Sequence, residues 1–484
     1  MPELTFIEMK PLCVDLDGSL LATDVLWEAV LKLLKTQPWQ TLKIPFWIFK
    51  GKAYFKRQIA RRVQLDCRNL PLRKQVLDYL IQQQKSGRNI VLTTASDELL
   101  VEDLVKKIDL FSGVLASDGK SNLSGKDKLK AIKNYFGHDE FDYIGDALVD
   151  LPLWQGADQA LVVNPSRKLL QKVKRISAKQ KIFQDRKPFW ITLVKAVRVH
   201  QWVKNLLLLL PLFLAHKMAD LNLLIQSLVA MLSFSFCASA VYILNDLLDL
   251  ESDRKHPVKC KRPFAAGDLQ IRTGFWLAPL FIVCGFSLAL WFLPRSFVGV
   301  LVGYLFITTA YSFYLKKMVI MDVLVLAGLY TFRVIAGGMA VHIEISTWLL
   351  AFSMFLFISL AFLKRCAELA ILQNFNDAPN EGRGYLLQDQ ELLRSVGPTS
   401  GYLAMLVLAF YINSNEVLDL YKSPKALWLI GPFYLYWITR IWILAHRGVI
   451  TDDPVVFTLK DRRSYVIGAC VLSLIYVATN FSLF

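Results

Sequence analysis

The sequence predicts two unlike parts in one chain: a soluble amino-terminal domain built on short apolar strands, then an all-α polytopic membrane domain of about nine transmembrane helices. Three observations carry this. The chain has 484 residues, of which 54% are hydrophobic, and its mean hydropathy of +0.38 is rare among soluble enzymes of this size. The apolar residues are unevenly placed: the first 190 residues mix charge and hydrophobe, whereas after Trp202 long apolar runs alternate with short charged loops. The positive charge is also patterned. The net charge is +16, but Lys and Arg gather at the ends of apolar runs, as in cytoplasmic membrane loops, so nucleic acid is not an expected partner. The seven scattered cysteines contain no CxxC pair, and neither a disulfide framework nor a zinc site is expected. The opening "MPELTFIEMKPLCVDLDG" does not read as a cleavable signal peptide, which places the amino-terminal domain in the cytoplasm.

In chain order, the first chemical signal is "PLCVDLDGSLL". Asp15 and Asp17, two apart at a strand end, point to the same side of the backbone. One can attack phosphorus while its neighbour handles the leaving-group proton, with Mg²⁺ shielding the charge. Three further pieces follow. "RNIVLTTAS" is a buried strand ending at Thr94, "NLSGKDKLKAI" offers Lys126 or Lys128, and "FDYIGDALVDLPLW" is a strand followed by Asp146 and Asp150. Over residues 8–165 these pieces resemble the haloacid dehalogenase (HAD) superfamily of phosphatases. The resemblance implies an α/β Rossmann-like parallel sheet with a small helical cap at about 19–88. It implies Asp15 as nucleophile, Asp17 as general acid/base, Thr94 and Lys128 on the phosphoryl oxygens, and Mg²⁺ on Asp15, the Asp17 carbonyl and Asp146, with Asp150 in support. The cap segment "WQTLKIPFWIFKGKAYFKR" is apolar and basic, which suits a lipid-linked phosphate or a membrane contact.

Residues 166–199 are basic and partly amphipathic and read as a linker or a helix on an anionic membrane surface, dividing the chain into 1–165, 166–199 and 200–484. Beyond them, apolar segments near the length of a span lie at 202–216, 222–244, 273–293, 296–314, 319–341, 345–363, 398–413, 425–446 and 464–483. The loops after the second, fourth, sixth and eighth segments are basic and the intervening ones nearly uncharged. The positive-inside rule then puts every basic loop on the cytoplasmic side, with the amino-terminal domain.

The second segment ends in "NDLLDLESDRKHPVKCKRP". If the helix continues, Asp246, Asp249 and Asp253 fall at i, i+3 and i+7 on one face, beside Asn245. Three carboxylates in register repel one another unless a cation joins them, and Mg²⁺ prefers carboxylate oxygens plus substrate phosphate. Pro257 stops the helix, and Arg254, His256, Lys259 and Arg262 can wrap an anion. Arg333 sits inside an apolar run, where a charge is costly and usually functional.

This motif is similar to the NDxxDxxxD signature of the UbiA superfamily of intramembrane transferases. The second acidic motif of its aromatic prenyltransferases is reduced here to Asp322, with Leu326 where a second acid would stand. The stretches "RVHQWVKNLLLLLPL", "YSFYLKK", "TFRVIAGG", "LKRCAEL", "GRGY" and "DDPVVFTLKDR" resemble instead the decaprenyl-phosphate phosphoribosyltransferase branch. That resemblance implies transfer of 5-phosphoribose from phosphoribosyl diphosphate to a polyprenyl phosphate, at the cytoplasmic side of a bacterial inner membrane, with membrane lipids as further partners and oligomerisation left open. On this reading Asp246, Asp249 and Asp253 hold one or two Mg²⁺ on the donor diphosphate. Lys259, Arg262 and His256, beside Arg254, hold the 5-phosphate. Lys204, Asn205, Tyr311, Lys316 and Arg333 hold diphosphate or lipid phosphate, and Asp322 points to the ribose or orients a cation. The HAD-like domain would remove the 5-phosphate to give polyprenyl-phosphoryl ribose. The competing readings are prenyl transfer to an aromatic acceptor, and a polyprenyl-phosphate-binding scaffold with an inert HAD-like domain.

Overall fold

The computed structural model describes residues 10–373, 384–450 and 453–482. Arg383 of "GRGY" and Asp452 of "DDPVV" lie outside them. The chain divides into two compact units, Met1–Ala196 with Leu244–Trp276, and Val197–Ile243 with Leu277–Phe484.

The first unit is built on six strands: β1 Leu12–Val14, β2 Ile90–Asp97, β3 Gly113–Ser117, β4 Asp142–Gly145, β5 Ala160–Val163 and β6 Gln180–Phe183. They form one parallel sheet in the order β3-β2-β1-β4-β5-β6. Leu12, Cys13 and Val14 lie opposite Ile90, Val91 and Leu92 on one side and Asp142, Tyr143 and Ile144 on the other. The central strands are apolar on both faces because both are covered. Seven helices accompany the sheet: α1 Val25–Thr36, α2 Lys52–Ala60, α3 Lys74–Lys85, α4 Glu98–Ile108, α5 Lys126–Phe136, α6 Leu151–Gly156 and α7 Arg167–Ile176. Helices α1 to α3, with two short turns at 38–49, are inserted between β1 and β2, where the cap was expected. Strand order reverses between β1 and β4, and ligands of open parallel sheets bind at the carboxyl ends of strands there. Asp15 follows β1 and Asp146 follows β4.

One expectation changes. Residues 166–199 do not form only a linker or surface helix: α7 and β6 lie within them, and β6 pairs with β5 as the sixth strand. Leu169, Val173 and Phe183 are buried and anchor this lysine-rich stretch in the core of the unit. Helix α7 is capped by Ser166, whose hydroxyl accepts from the Leu169 N–H.

Besides Phe189–Val197 and Asn415–Leu420, the remaining α-helical segments are α8 Val199–Leu214, α9 Leu221–Leu248, α10 Leu250–Lys255, α11 Ile271–Phe292, α12 Arg295–Phe313, α13 Met321–Val341, α14 Thr347–Gln373, α15 Gln390–Ile412, α16 Ile430–His446, α17 Pro454–Thr458 and α18 Arg462–Asn480. Among the described residues, eight helices are long and apolar enough to cross a membrane, not nine. The missing one is the expected span at 202–216. Val199–Leu214 is a shorter apolar helix, wound as 3₁₀ over Val199–Leu209 and as α over Leu210–Leu214. Buried Lys204 and Asn205 need polar partners, and Pro211 removes a backbone donor. This segment lies so close to α13 that a Cβ on Gly337 would stand 2.2 Å from the Leu208 carbonyl oxygen.

Candidate functional site

In the first unit, the strand ends gather a cavity walled by Asp15, Asp17, Asp24, Lys56, Ser96, Lys128, Asp146 and Asp150. The Asp15 N–H donates to the Ile144 carbonyl at 2.9 Å, fixing β1 against β4 where the two acids emerge. Gly18 has φ +81°, and a Cβ there would lie 2.2 Å from Asp146 Oδ2, so only glycine lets the turn pass this carboxylate. Lys128 Nζ is 2.6 Å from Asp15 Oδ1 and 3.1 Å from Tyr143 Oη, whereas Lys126 is exposed. Of these two lysines, Lys128 is the one that lines the cavity. Asp150 accepts from Tyr143 Oη and from the Ala147 N–H, both at 3.1 Å.

The acids are crowded. Burial, then Asp15 and Asp150, push the Asp146 carboxyl well above the usual range. Burial and Asp15 push Asp150 up to about 6, and burial and Asp24 push Asp17 up to about 7. Burial disfavours charge on Lys128, but Asp15 and Asp150 overcome it and raise its pKa. Oxygens of Asp15, Asp146 and Asp150 lie within 4.8 Å of one another, a donor set that suits a hard divalent cation. The hydroxyl on the cavity wall is not Thr94, as expected, but Ser96. Thr94 is wholly buried and accepts from the Ser96 N–H at 3.0 Å, while Ser96 Oγ donates to Asp17 Oδ2 at 2.6 Å. The strand runs on to Asp97 through an irregular register with β3, which carries Ser96 to the cavity. Two further wall residues, Asp24 and Lys56, come from the inserted region, and no spacing rule marks them in the sequence.

The acidic stretch after α9 also lies in the first unit. Helix α9 ends at Leu248 and α10 begins at Leu250, yet Asp249 N–H donates to the Asn245 carbonyl at 2.9 Å and Asp253 N–H to the Asp249 carbonyl at 2.8 Å. The i to i−4 bonds bridge the joint, so the expected register survives. Asp246 and Asp253 are buried and share Arg262, whose Nη1 is 3.1 Å from Asp246 and 2.6 Å from Asp253. Burial pushes Asp253 up to about 6 against the pull of Arg262. Helix α10 ends at Lys255, and His256 takes an extended conformation before Pro257.

Two expected anion ligands have other partners. Arg254 does not face the acids. Its guanidinium clasps Glu28 of α1 at 2.5 and 3.1 Å, Glu28 in turn accepts from Thr23 Oγ1 at 2.6 Å, and both charged side chains are nearly buried. Nearby, Lys32 of α1 pairs with Glu251 at 2.6 Å. His256 Nδ1 accepts from the Val258 and Lys259 N–H groups, and burial together with Lys259 and Arg262 lowers its pKa to about 4, leaving a neutral ring that shapes the turn.

The second unit holds its own buried charge cluster. Lys204 Nζ and Lys364 Nζ lie 2.6 and 3.1 Å from Asp453 Oδ2, and Tyr330 Oη donates to the same carboxylate at 3.2 Å. Burial alone would raise the Asp453 carboxyl, but Lys364 and Lys204 hold it far below the usual range. Asp453 also caps α17, accepting from the Val455 N–H. Arg333 is buried, not snorkelling: Nε donates to Asn205 Oδ1 at 2.9 Å, Nη1 donates to the Leu329 carbonyl, and the guanidinium lies over Phe234, Tyr304 and Tyr330. Asn205 also donates to Ser235. Asp322 is fully buried, with Arg365 Nε at 2.6 Å from Oδ2 and Tyr385 Oη donating to Oδ1 at 2.6 Å. The Arg365 contact is an ion pair without an aligned hydrogen bond. Tyr311 accepts from Arg365 Nη2 at 3.2 Å, and Lys316 sits in the 3₁₀ turn Leu315–Lys317. Asp453 and Tyr330 are not among the residues singled out from the sequence, because their partner Lys204 is remote in the chain.

Residues 206–373 match the model of the UbiA prenyltransferase family. Over 98% of its length the chain is 34% identical to the uncharacterized protein y4nM of Sinorhizobium fredii, covering 92% of that protein. It is 33% identical to the nodulation protein NoeC of Azorhizobium caulinodans over 59% of this chain and 92% of that one. It is 35% identical to the decaprenyl-phosphate phosphoribosyltransferase of Mycolicibacterium smegmatis over 60% of this chain and 93% of that enzyme. With eight apolar helices of spanning length and these relatives matched along nearly their whole lengths, the chain is a multi-pass membrane transferase that belongs to the UbiA prenyltransferase family.

Proposed function

We propose that the protein moves 5-phosphoribose from phosphoribosyl diphosphate to a polyprenyl phosphate, and that its amino-terminal α/β domain, acting as an HAD-type phosphatase, then removes the 5-phosphate to give polyprenyl-phosphoryl ribose. Both reactions take place on the cytoplasmic side of a bacterial inner membrane. The similarity to the mycobacterial phosphoribosyltransferase supports the first step. The observation that carries the second is the convergence of Asp15, Asp146, Asp150 and Lys128 at the strand-order reversal.

In the transfer step, Asp246, Asp249 and Asp253 hold the divalent cation, and Arg262 and Lys259 take the 5-phosphate. Arg262 bridges two of these buried carboxylates, which supports a place for positive charge between them. Lys204 and Lys364, held by Asp453, and Arg333, held by Asn205, supply positive charge for diphosphate or lipid phosphate. The acceptor phosphate oxygen attacks C1 of ribose as the diphosphate leaves. A lipid phosphate is already anionic at neutral pH, so little base catalysis is required. In the second step Asp15 attacks phosphorus as Asp17 gives its proton to the departing ribose oxygen, water then attacks the aspartyl phosphate and yields a proton to Asp17 as inorganic phosphate leaves, and Lys128 and Ser96 steady the phosphoryl oxygens. When bound, Mg²⁺ neutralises phosphate charge at both sites.

The test is to combine purified protein, Mg²⁺, phosphoribosyl diphosphate and polyprenyl phosphate and weigh the lipid products. Ribose plus phosphate added to the lipid supports the transferase, and ribose alone supports both steps. Asp246→Asn should abolish transfer and spare phosphatase activity, and Asp15→Asn should do the reverse. A protein inactive here but active on a prenyl diphosphate with an aromatic acceptor would overturn the donor assignment.

A further inference from the structure

The segment between α1 and α2 is left unused by these reactions. From residue 29 to 65 the chain contains no Asp or Glu and nine Lys or Arg: 32, 35, 43, 50, 52, 56, 57, 61 and 62. Its two short helical turns, Pro38–Thr41 and Ile44–Phe49, are fixed from one side. Trp47 is buried in the core of the unit, stacked under Arg62, and Ile44 packs beside it. The other side is bare. Trp39 is 82% exposed, Leu42 74%, Phe46 60% and Phe49 90%, at spacings of three, four and three along the two turns and the residues that join them. Lys43, Lys50 and Lys52 are exposed on the same short segment, and Lys50 Nζ lies 4.8 Å over the Phe46 ring.

We propose that residues 38–52 form a membrane-docking face that seats its aromatic side chains in an anionic lipid leaflet and so brings the inserted region to lipid-borne phosphate. Aromatic side chains edged by lysines match the interface between acyl chains and acidic head groups, where each Lys gains from the negative surface potential. A second copy of the same face is a poor occupant, because pairing would bring the cations together with no acid to answer them. A bilayer is always within reach, because the chain crosses one. Lys56, the next basic residue along α2, lines the acid-walled cavity, so the docked face and the cavity are joined by a single turn of helix. Only this last link rests on the phosphatase reading.

The experiment places the photoreactive analogue benzoyl-phenylalanine at Phe49 of the full-length protein in vesicles with and without phosphatidylglycerol, and finds the adducts by mass. A control places it at the exposed Tyr135 of α5. The expected result is a phospholipid adduct at 49 and none at 135. Replacing Lys43 and Lys50 by Gln should lower the adduct about fivefold per lysine in anionic vesicles, and in neutral vesicles should change little. Adducts at 49 confined to protein, whether a second copy or another chain, would overturn the proposal, as would equal adducts in both vesicle types. Trp39→Ser with Phe49→Ser provides the functional arm: hydrolysis of a lipid-linked phosphomonoester should fall about tenfold, with p-nitrophenyl phosphate unaffected. Equal loss on both substrates would overturn the delivery role. A wild-type protein that hydrolyses neither would remove the phosphatase reading, while the adduct still decides the docking face.

Discussion

Replacing Asp322 by Ala separates a structural acid from a substrate ligand. The Asp322 side chain is 0% exposed and that of its partner Arg365 2% exposed, with Tyr385 Oη closing the other oxygen and itself accepting from the Ile320 N–H at 2.9 Å. Removing one member of a buried ion pair costs about 3–5 kcal/mol, because the remaining charge is left without its partner. Arg365 keeps Glu368 and Tyr311, which puts the loss at the lower end, about 3 kcal/mol. Tyr385 also loses its acceptor, worth about 1 kcal/mol. Asp322→Asn keeps an acceptor for Tyr385 and should cost less. The assay pairs thermal melting in detergent with the lipid-product measurement, expressed per folded molecule. Melting should fall in the order wild type, Asn, Ala, while the transfer rate of the folded fraction stays within about threefold. A variant that melts like the wild type but no longer transfers would refute this account and place Asp322 on the ribose.

Three further outcomes are expected. Gly337→Ala forces a Cβ against the Leu208 carbonyl, pushing α8 with Lys204 and Asn205 off α13 with Arg333. It should destabilise by about 1–3 kcal/mol and reduce transfer more than it changes KM for phosphoribosyl diphosphate, as read by melting and steady-state kinetics. Gly18→Ala meets both a positive φ and Asp146 Oδ2, so phosphatase turnover should drop more than about a hundredfold while transfer persists, as measured with p-nitrophenyl phosphate and the lipid assay in parallel. Asp453→Asn leaves Lys204 and Lys364 facing each other without a carboxylate and should lower both melting temperature and transfer, by about tenfold or more for the latter, with phosphatase turnover unmoved.

The sequence yielded what is local. Asp15 and Asp17 follow a short apolar strand, Lys128 lies one turn into a helix, and Asp246, Asp249 and Asp253 keep helical spacing across a joint; each is set by neighbours a few residues away. What stayed hidden depends on distant partners. Lys204 finds Asp453 across 249 residues, and Arg254 finds Glu28 across 226, so composition read both cations as free to bind anions. Hydropathy marks 202–216 as a span because it registers apolar residues and not how long a helix they build. The strand is expected to end at Thr94 and runs three residues further, which brings Ser96 to the cavity. The strand β6 was missed because two lysine-rich turns conceal its few apolar anchors.

Helix α1 has two customers. Its cap Asp24 and first-turn Leu26 wall the acid-lined cavity, while one turn on Glu28 and Lys32 grip Arg254 and Glu251 of the acidic stretch. For anyone dissecting the gene, this means that the boundary written in the chain is not the boundary in the molecule. A fragment beginning near residue 199 would carry the whole transferase sequence and yet lose the carboxylate that sheathes Arg254, so it should express as a weaker transferase that Glu28 supplied on a separate amino-terminal fragment restores.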